Sequence, residues 1–369
     1  MTQSVGIIGH GLTGITAAIM LARAGYQIDL IGPKPEFSGG LQLAPNGLAA
    51  LQTLGHYEAV RKKAVRLESI RITAMGDGRS LADISHNDKR VYLGMGRADL
   101  YQLLAKHLSQ QKNIRTLASP AVHLASSGEK MEILLEDGRS VHADEIIGAD
   151  GANGLCRSFV AGARLGRKEA PYYAMRAQIS ADILPRLFSR PQTQLMLGDG
   201  CHFVSYPIAA QKQINCVFCA SAEALHPEWE ADMLAEHPLL KYLYAAKPQW
   251  AKLPLYRDDP IASWRRMGVT VTGDAAHMMP PHLAQGAGQG FEDIACLAVQ
   301  LAKKDLSAGL RSMAIERAGQ LKPVSGKAAV TGGVMRLSGL PGQLRDSLLG
   351  LAGAQLVESW LEDIWQGTI

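Results

Sequence analysis

Residues 4–35 read SVGIIGHGLTGITAAIMLARAGYQIDLIGPKP. A short apolar strand, residues 5–8, runs into Gly9-x-Gly11-x-x-Gly14. A helix-forming stretch over residues 12–24 follows, Gly25 stops it, and residues 28–31 form a second strand. This strand–turn–helix context is what gives a GxGxxG its meaning. Gly9 permits the tight turn, Gly11 leaves room for a pyrophosphate against the backbone, and Gly14 lets helix and strand pack closely. The free N–H groups of the helix N-terminus then face the phosphates. The unit is a dinucleotide-binding motif with one departure. The second strand should end in an acid that holds the ribose hydroxyls, and that place is Gly32-Pro33. Asp29 is three positions earlier, on the other strand face.

The rest of the chain must fit around that unit. Its 369 residues are enough for about two domains at ~150 residues each. A net charge of +4, spread along the chain, is too weak to argue for nucleic acid. The chain enters its first strand at once, without a signal-type apolar stretch, and no apolar run is long enough to span a bilayer. The expected location is cytoplasmic. Five cysteines are scattered, and Cys216-Val-Phe-Cys219 has the CxxC spacing. It lies in a strand-like run, where residues three apart point to opposite faces. These cysteines read as buried and structural, and no metal site is expected.

Helices are expected over residues 46–54 and 97–108, the latter with Leu100, Leu103, Leu104 and Leu108 at helical period. Strands at 122–124, 131–135 and 140–142 follow, with Asp137-Gly138 turning the last hairpin. Residues 145–149 form an apolar strand that ends at Asp150-Gly151. From about 169 to 265 the chain is β-rich, with runs at 175–179, 202–208 and 214–219 and a helical stretch after Pro227. It then returns to a strand at 269–272, and the tail from about 305 is helical with breaks near 339–342. An α/β chain is thus interrupted by a β-rich insert.

A second nucleotide-type signature lies far from the first. The strand at 269–272 ends in Gly273-Asp274, and Gln285-Gly286-Ala287-Gly288-Gln289-Gly290 leads into another helix. A carboxylate at a strand end can bind a polyol, and a glycine-rich helix start can cradle an anion or an electron-rich ring edge. A structural capping loop is the alternative at this point. In the run HFVSYP, His202 and Tyr206 are four apart and share one strand face.

With these motifs the chain resembles the group A flavin-dependent aromatic hydroxylases, in their salicylate hydroxylase-like branch. The resemblance runs through GxGxxG, GGLQLAPNGLAALQTLG from Gly39, RADLYQLL from Arg97, IIGADGANGLCR ending at Arg157, GDGCHFVSYP from Gly198, LYRDDPIASW from Leu255 and GDAAHMMPPHLAQGAGQGFED from Gly273. It implies a Rossmann-like FAD-binding domain of the glutathione reductase type. An inserted β-sheet substrate domain of the p-hydroxybenzoate hydroxylase type is implied with it. The expected division is 1–70, 94–168 and 266–369 for the FAD-binding domain with its C-terminal helices, and 71–93 and 169–265 for the substrate domain. FAD, bound non-covalently, would contact Gly9, Gly11 and Gly14 through its pyrophosphate. Arg97 would meet its phosphate and ribityl region, and the backbone at Val122 its adenine. Asp150 belongs to a segment tied to FAD and NAD(P)H, where the family's usual serine is Gly154. Asp274 would bind the ribityl chain, while Pro281, Gln285, Gly286, Ala287 and Gly288 border the flavin ring.

The implied reaction is hydroxylation of a small phenol-like or N-heterocyclic aromatic with NADH or NADPH and O2, through a flavin C4a-hydroperoxide. His202 would serve as a base near neutral pH and Tyr206 would orient or relay the proton. Arg176 would pair with an acidic substrate, and His282 would contact it. His277 would order its loop. A half-buried histidine beside a core tyrosine is the structural alternative for His202 and Tyr206. Two functional alternatives stand: a flavoprotein reductase or oxidase acting on a hydrophobic or quinone-like substrate, and a non-catalytic binding protein that has lost tight FAD through Gly32. The apolar tail, residues 337–365, leaves room for membrane-surface contact. The chain is expected as a monomer or homodimer.

Overall fold

The structure, a computed structural model, describes residues 3–162, 168–257 and 261–367. Asp258, Asp259 and Pro260, within the stretch that starts at Leu255, lie outside the described residues.

The glycine motif folds as its residues require. Strand Ser4–Ile8 leads into helix Leu12–Arg23, and Gln27–Ile31 pairs parallel with the first strand. Gly9 has φ +115°, and a Cβ on it would lie 2.2 Å from the Ala149 carbonyl oxygen. A Cβ on Gly14 would lie 1.9 Å from the Gly9 oxygen, so backbone-to-backbone packing excludes any side chain there. A Cβ on Gly11 meets nothing within 4 Å, because that position opens onto a cleft.

Six strands make the central sheet, in the order Arg265–Arg266, Val269–Val271, Glu145–Gly148, Ser4–Ile8, Gln27–Ile31, Ile114–Leu117. All neighbours are parallel except the first pair. Apolar helices cover it, so its inner strands Ser4–Ile8, Glu145–Gly148 and Val269–Val271 are almost wholly buried, while the edge strands carry exposed polar residues. Ala121–Ser127, Lys130–Leu135 and Ser140–Ala143 form an antiparallel sheet, with Gly138 at φ +83° in the turn foreseen at Asp137-Gly138. Gly40–Leu43, Tyr92–Gly96 and Val65–Leu67 form a small three-stranded sheet.

The β-rich insert contributes to a seven-stranded sheet, in the order Ala251–Arg257, Lys168–Ser180, Gln213–Ser221, His202–Ile208, Gln192–Leu197, Ser69–Ala74, Ser80–Ser85. The stretch after Pro227 is less helical than its composition suggests. Residues 231–235 make one wide turn, and the α-helix is limited to Lys241–Ala246. Two long helices close the chain. Leu306–Met335 carries Pro323 in its interior, and Gly339–Trp365 kinks at Ala352, where φ is −142°. The break between them falls at residues 336–338, just ahead of the foreseen 339–342.

All five cysteines are free and buried. Cys216 packs into the core on one side of the sheet, and Cys219 into a separate cluster on the other. Among the described residues no cluster of three or more His, Cys, Asp or Glu side chains is placed to hold a metal ion, and no helix is long and apolar enough to cross a membrane.

Candidate functional site

A cavity of about 1320 Å³ runs from the glycine turn, past the inner face of the seven-stranded sheet, to the C-terminal helices. It is larger than the ~300–1,000 Å³ typical of a single small-ligand pocket. There is room for a dinucleotide and a second, smaller molecule.

The dinucleotide end is built from two helix N-termini. Helix Leu12–Arg23 and helix Gly286–Leu301 both begin without a side-chain cap and without an acid in the first turn. Their first residues line the cavity, so uncancelled N–H groups and positive dipole ends converge on it. Gly9, Gly11, Arg97, Asp150, Asp274, Pro281, Gly286 and Ala287 all border the cavity. Gly14 stands behind the turn and shapes it.

Val122, expected to act through its backbone, stands beside the cavity-lining Pro120 and Ala121 with its side chain 46% exposed. Two expected contacts are placed differently. Gln285 is buried away from the cavity, and its amide exchanges hydrogen bonds with Asn46, 2.7 Å for Asn46 Nδ2 to Gln285 Oε1. Gly288 faces helix Pro45–Thr53, where a Cβ on Gly47 would lie 2.8 Å from the Gly288 Cα. Both residues fix the helix start rather than border the ligand space, because polar and small residues are what a close helix–helix contact needs.

The glycine at 154 also has a local cause. A Cβ there would lie 2.1 Å from the Asp150 carboxylate. That carboxylate caps helix Leu155–Ala161 by accepting from the Cys156 N–H at 2.9 Å. Its other oxygen is buried without a partner, and burial raises its pKa.

The Gly273-Asp274 loop is held from behind by His277 and by two residues the sequence did not single out, Asp293 and Arg317. The Asp293 carboxylate accepts from Thr272 Oγ1 at 2.8 Å, the Gly273 N–H at 2.9 Å, His277 Nε2 at 2.7 Å and Arg317 Nε at 2.9 Å. Asp293 is fully buried, a position that disfavours its charge. His277 and Arg317 more than offset this and hold its pKa far below the usual carboxylate range. His277 therefore orders the loop, as expected of it. Arg317 also pairs with Glu292 at 3.2 Å and donates to Gln289 Oε1 at 2.6 Å. Arg157, buried, donates to the Ala275 and Ala276 carbonyls and clamps the same loop from the other side.

At the far end, His202 and Tyr206 both face the cavity from strand His202–Ile208, with Arg176 on strand Lys168–Ser180 and His282 from the short helical turn Pro281–Leu283. Residues four apart on a strand are separated by about 13 Å. His202 and Tyr206 therefore border separate parts of the cavity rather than converge on one atom. His202 meets His282 edge-on, with ring centroids 5.5 Å apart, and Arg336 donates to His282 Nε2 at 3.1 Å. Arg336 in turn stacks on Tyr172 at 4.3 Å.

The expectation of a base poised near neutrality does not hold for His202 in this cavity. Burial first, then His282, Arg336 and Arg345, lower its pKa to about 3. Burial and Arg336 bring His282 to about 4. Both rings are neutral acceptors or donors at pH 7, and His202 Nδ1 is buried without a partner. Tyr206 is fully buried, and its pKa is raised by burial against the opposing pull of Arg97 and Arg176. Arg176 Nε is likewise buried and unpartnered. Burial, then Arg97, lowers the Arg176 pKa, so that charge is poorly compensated here.

The sequence profile of the FAD binding domain family matches residues 2–305. The chain is 30% identical over 328 residues to the 3-amino-4-hydroxybenzoate 2-monooxygenase PtmB3 of Streptomyces platensis, covering 83% of this chain and 81% of that protein. It is 29% identical over 324 residues to 3-hydroxybenzoate 6-hydroxylase 1 of Aquipseudomonas alcaligenes, covering 82% of each. Among solved structures, Klebsiella pneumoniae HpxO complexed with FAD and uric acid superposes with a TM-score of 0.87 at 19% identity, over 99% of this chain and 97% of that one.

Proposed function

The chain belongs to the FAD-dependent aromatic hydroxylases, and from that membership we propose that it hydroxylates a small phenolic acid or a hydroxylated N-heterocycle held between Tyr206 and the His202–His282 pair. The named relatives act on aminohydroxybenzoate and hydroxybenzoate. The residues present fit FAD: a glycine turn with no room for side chains behind it and open space in front, and two uncapped helix starts. When bound, FAD reduced by NADH or NADPH would supply the two electrons that activate O2, which provides the oxygen atom. Gly11 and the helix starts hold the pyrophosphate and the ring edge, Arg97 the phosphate and ribityl region, and Asp274 the ribityl hydroxyls.

The observation that carries the substrate class is Arg176. Its Nε is buried and unpartnered, and the residue borders a cavity whose lining acids among the described residues, Asp150 and Asp274, stand at the dinucleotide end. A carboxylate or acidic ring nitrogen would relieve that imbalance. Tyr206 would donate to the same group and orient the ring. The neutral His202 would take the hydrogen bond of the ring hydroxyl at the other end. As charge builds on that oxygen, the nearby anion raises the pKa of His202, so the proton is held only while the substrate reacts. The apolar sheet face and C-terminal helices exclude water from the ring.

The division into an FAD-binding part, 1–70, 94–168 and 266–369, and a substrate part, 71–93 and 169–265, belongs to this proposal. The six- and seven-stranded sheets follow it in outline, with the bounds at 70/71 and 265/266 falling inside strands Ser69–Ala74 and Arg265–Arg266. Val330, Val334, Leu356 and Trp360 also line the cavity with exposed apolar surface, so alkyl-substituted phenols belong in any substrate screen.

The test is a visible spectrum of the desalted protein with FAD, followed by NAD(P)H oxidation in the presence of hydroxybenzoates and uncharged phenols. Flavin retention and stimulation by a carboxylated phenol are expected. Arg176→Met should raise KM for that substrate about 10–100-fold and leave an uncharged phenol nearly unchanged. Equal effects on both would remove the acid-binding role.

A further inference from the structure

The ribose end of the cofactor site lacks its usual acceptor, and the backbone shows why an acid is not simply missing. Gly32 has φ +122°, a conformation that side-chain-bearing residues rarely adopt. Its N–H is fixed to the Leu117 carbonyl at 2.8 Å. A carboxylate cannot be carried at this position unless the turn is rebuilt.

The backbone of Gly9 and of His10, the first variable position of the glycine motif, runs beside Gly32: their nitrogens are 3.8 Å and 3.9 Å from where a Gly32 Cβ would be. His10 borders the cavity and is 4% exposed. Its Nδ1 lies 2.8 Å from the Tyr101 hydroxyl, and its Nε2 is buried with no partner. Tyr101 follows Arg97, which also lines the cavity, by one turn of helix Arg97–Leu108. Phe37, which also lines the cavity, packs on the Tyr101 ring at 5.1 Å and fixes its position. Burial lowers the His10 pKa, so the ring is neutral. When the Tyr101 hydroxyl donates to Nδ1, the ring proton is on Nε2, which becomes a fixed donor. A ribose hydroxyl accepts as readily as it donates, so a donor can replace the absent acceptor.

We propose that His10, oriented by Tyr101, hydrogen-bonds the adenosine ribose of bound FAD in place of the absent acid. This rests on the reading of the chain as an FAD enzyme, and the test separates the two.

The full-length protein, freed of flavin, is titrated calorimetrically with FAD, with ADP and with 2′,3′-dideoxy-ADP. The wild-type protein should bind ADP about threefold to tenfold more tightly than the dideoxy compound. His10→Ala should weaken FAD and ADP by about that factor and leave the dideoxy compound unchanged, so the discrimination disappears. Tyr101→Phe, which keeps the ring packing and loses the hydroxyl, should lower the discrimination in part. Thermal unfolding of each flavin-free variant confirms that it is folded. Discrimination retained in His10→Ala overturns the proposal, as does the lack of any in the wild type. Equal losses for both nucleotides assign His10 to the phosphates or to the turn itself and overturn it too. A wild-type protein that takes up neither FAD nor ADP overturns the cofactor reading, and this proposal with it.

Discussion

Arg317→Met should lower the stability of the protein by about 3–5 kcal/mol, the largest loss expected from any single change discussed for this chain. The cause is the charge left behind. Asp293 and Glu292 are buried on helix Gly286–Leu301, and Arg317, 1% exposed, pairs with both from helix Leu306–Met335. Methionine fills much of the volume but leaves two carboxylates facing a low-dielectric core. The consequence should extend to the cofactor, because Asp293 also fixes Thr272, Gly273 and His277 at the loop that carries Asp274. Urea unfolding should show the lost stability, and flavin should leave the variant at lower denaturant than the global transition. The triple variant with Asp293→Asn and Glu292→Gln should recover part of the loss, since it removes the uncompensated charge. A stability change below about 1 kcal/mol for Arg317→Met would mean that the buried network is not what holds these helices together.

His202→Ala should lower kcat for hydroxylation by about 10²–10⁴-fold, the usual size of a general acid–base contribution, and change substrate affinity much less. The buried neutral ring also dictates a pH profile. The His202 pKa in the free protein is about 3 and that of His282 about 4. Neither ring gains a proton as the pH falls from 8 to 5, so kcat/KM should show no acid limb from them near 6.5. Stopped-flow hydroxylation rates across that range test both statements. A limb near 6.5 that disappears in His202→Ala would show that the ring titrates as an exposed histidine does, and would contradict the dry geometry described above.

The parts of this protein that could be read in its sequence are those fixed by local rules. The glycine turn, the Asp137-Gly138 hairpin and the shared face of His202 and Tyr206 depend on neighbours within a few residues, and each is found. Strand Ser69–Ala74 pairs parallel with Gln192–Leu197, more than a hundred residues later, and short mixed runs of this kind carry no periodicity that would reveal the pairing. The site followed the same division. Lining residues belonged to recognisable motifs, whereas the residues that hold the loop in place did not. Arg317 lies in a helix with weak amphipathicity, where an arginine reads as a solvated charge, and only the fold brings it to Asp293. His10 occupies a variable position in a motif read for its glycines. Its meaning depends on Tyr101, which is 91 residues away. Residue type alone gave His202 an ordinary histidine pKa, and only burial within the folded sheet lowers it.

The central claim is that this cavity inserts one atom of O2 into an aromatic ring. The most direct measurement is turnover of the FAD-loaded protein with NADH or NADPH and a carboxylated phenol under ¹⁸O₂, with the product analysed by mass spectrometry. The account requires one ¹⁸O atom per product molecule, formed in step with nicotinamide oxidation. Nicotinamide oxidised without ring product, or a product whose new oxygen comes from water, would contradict it.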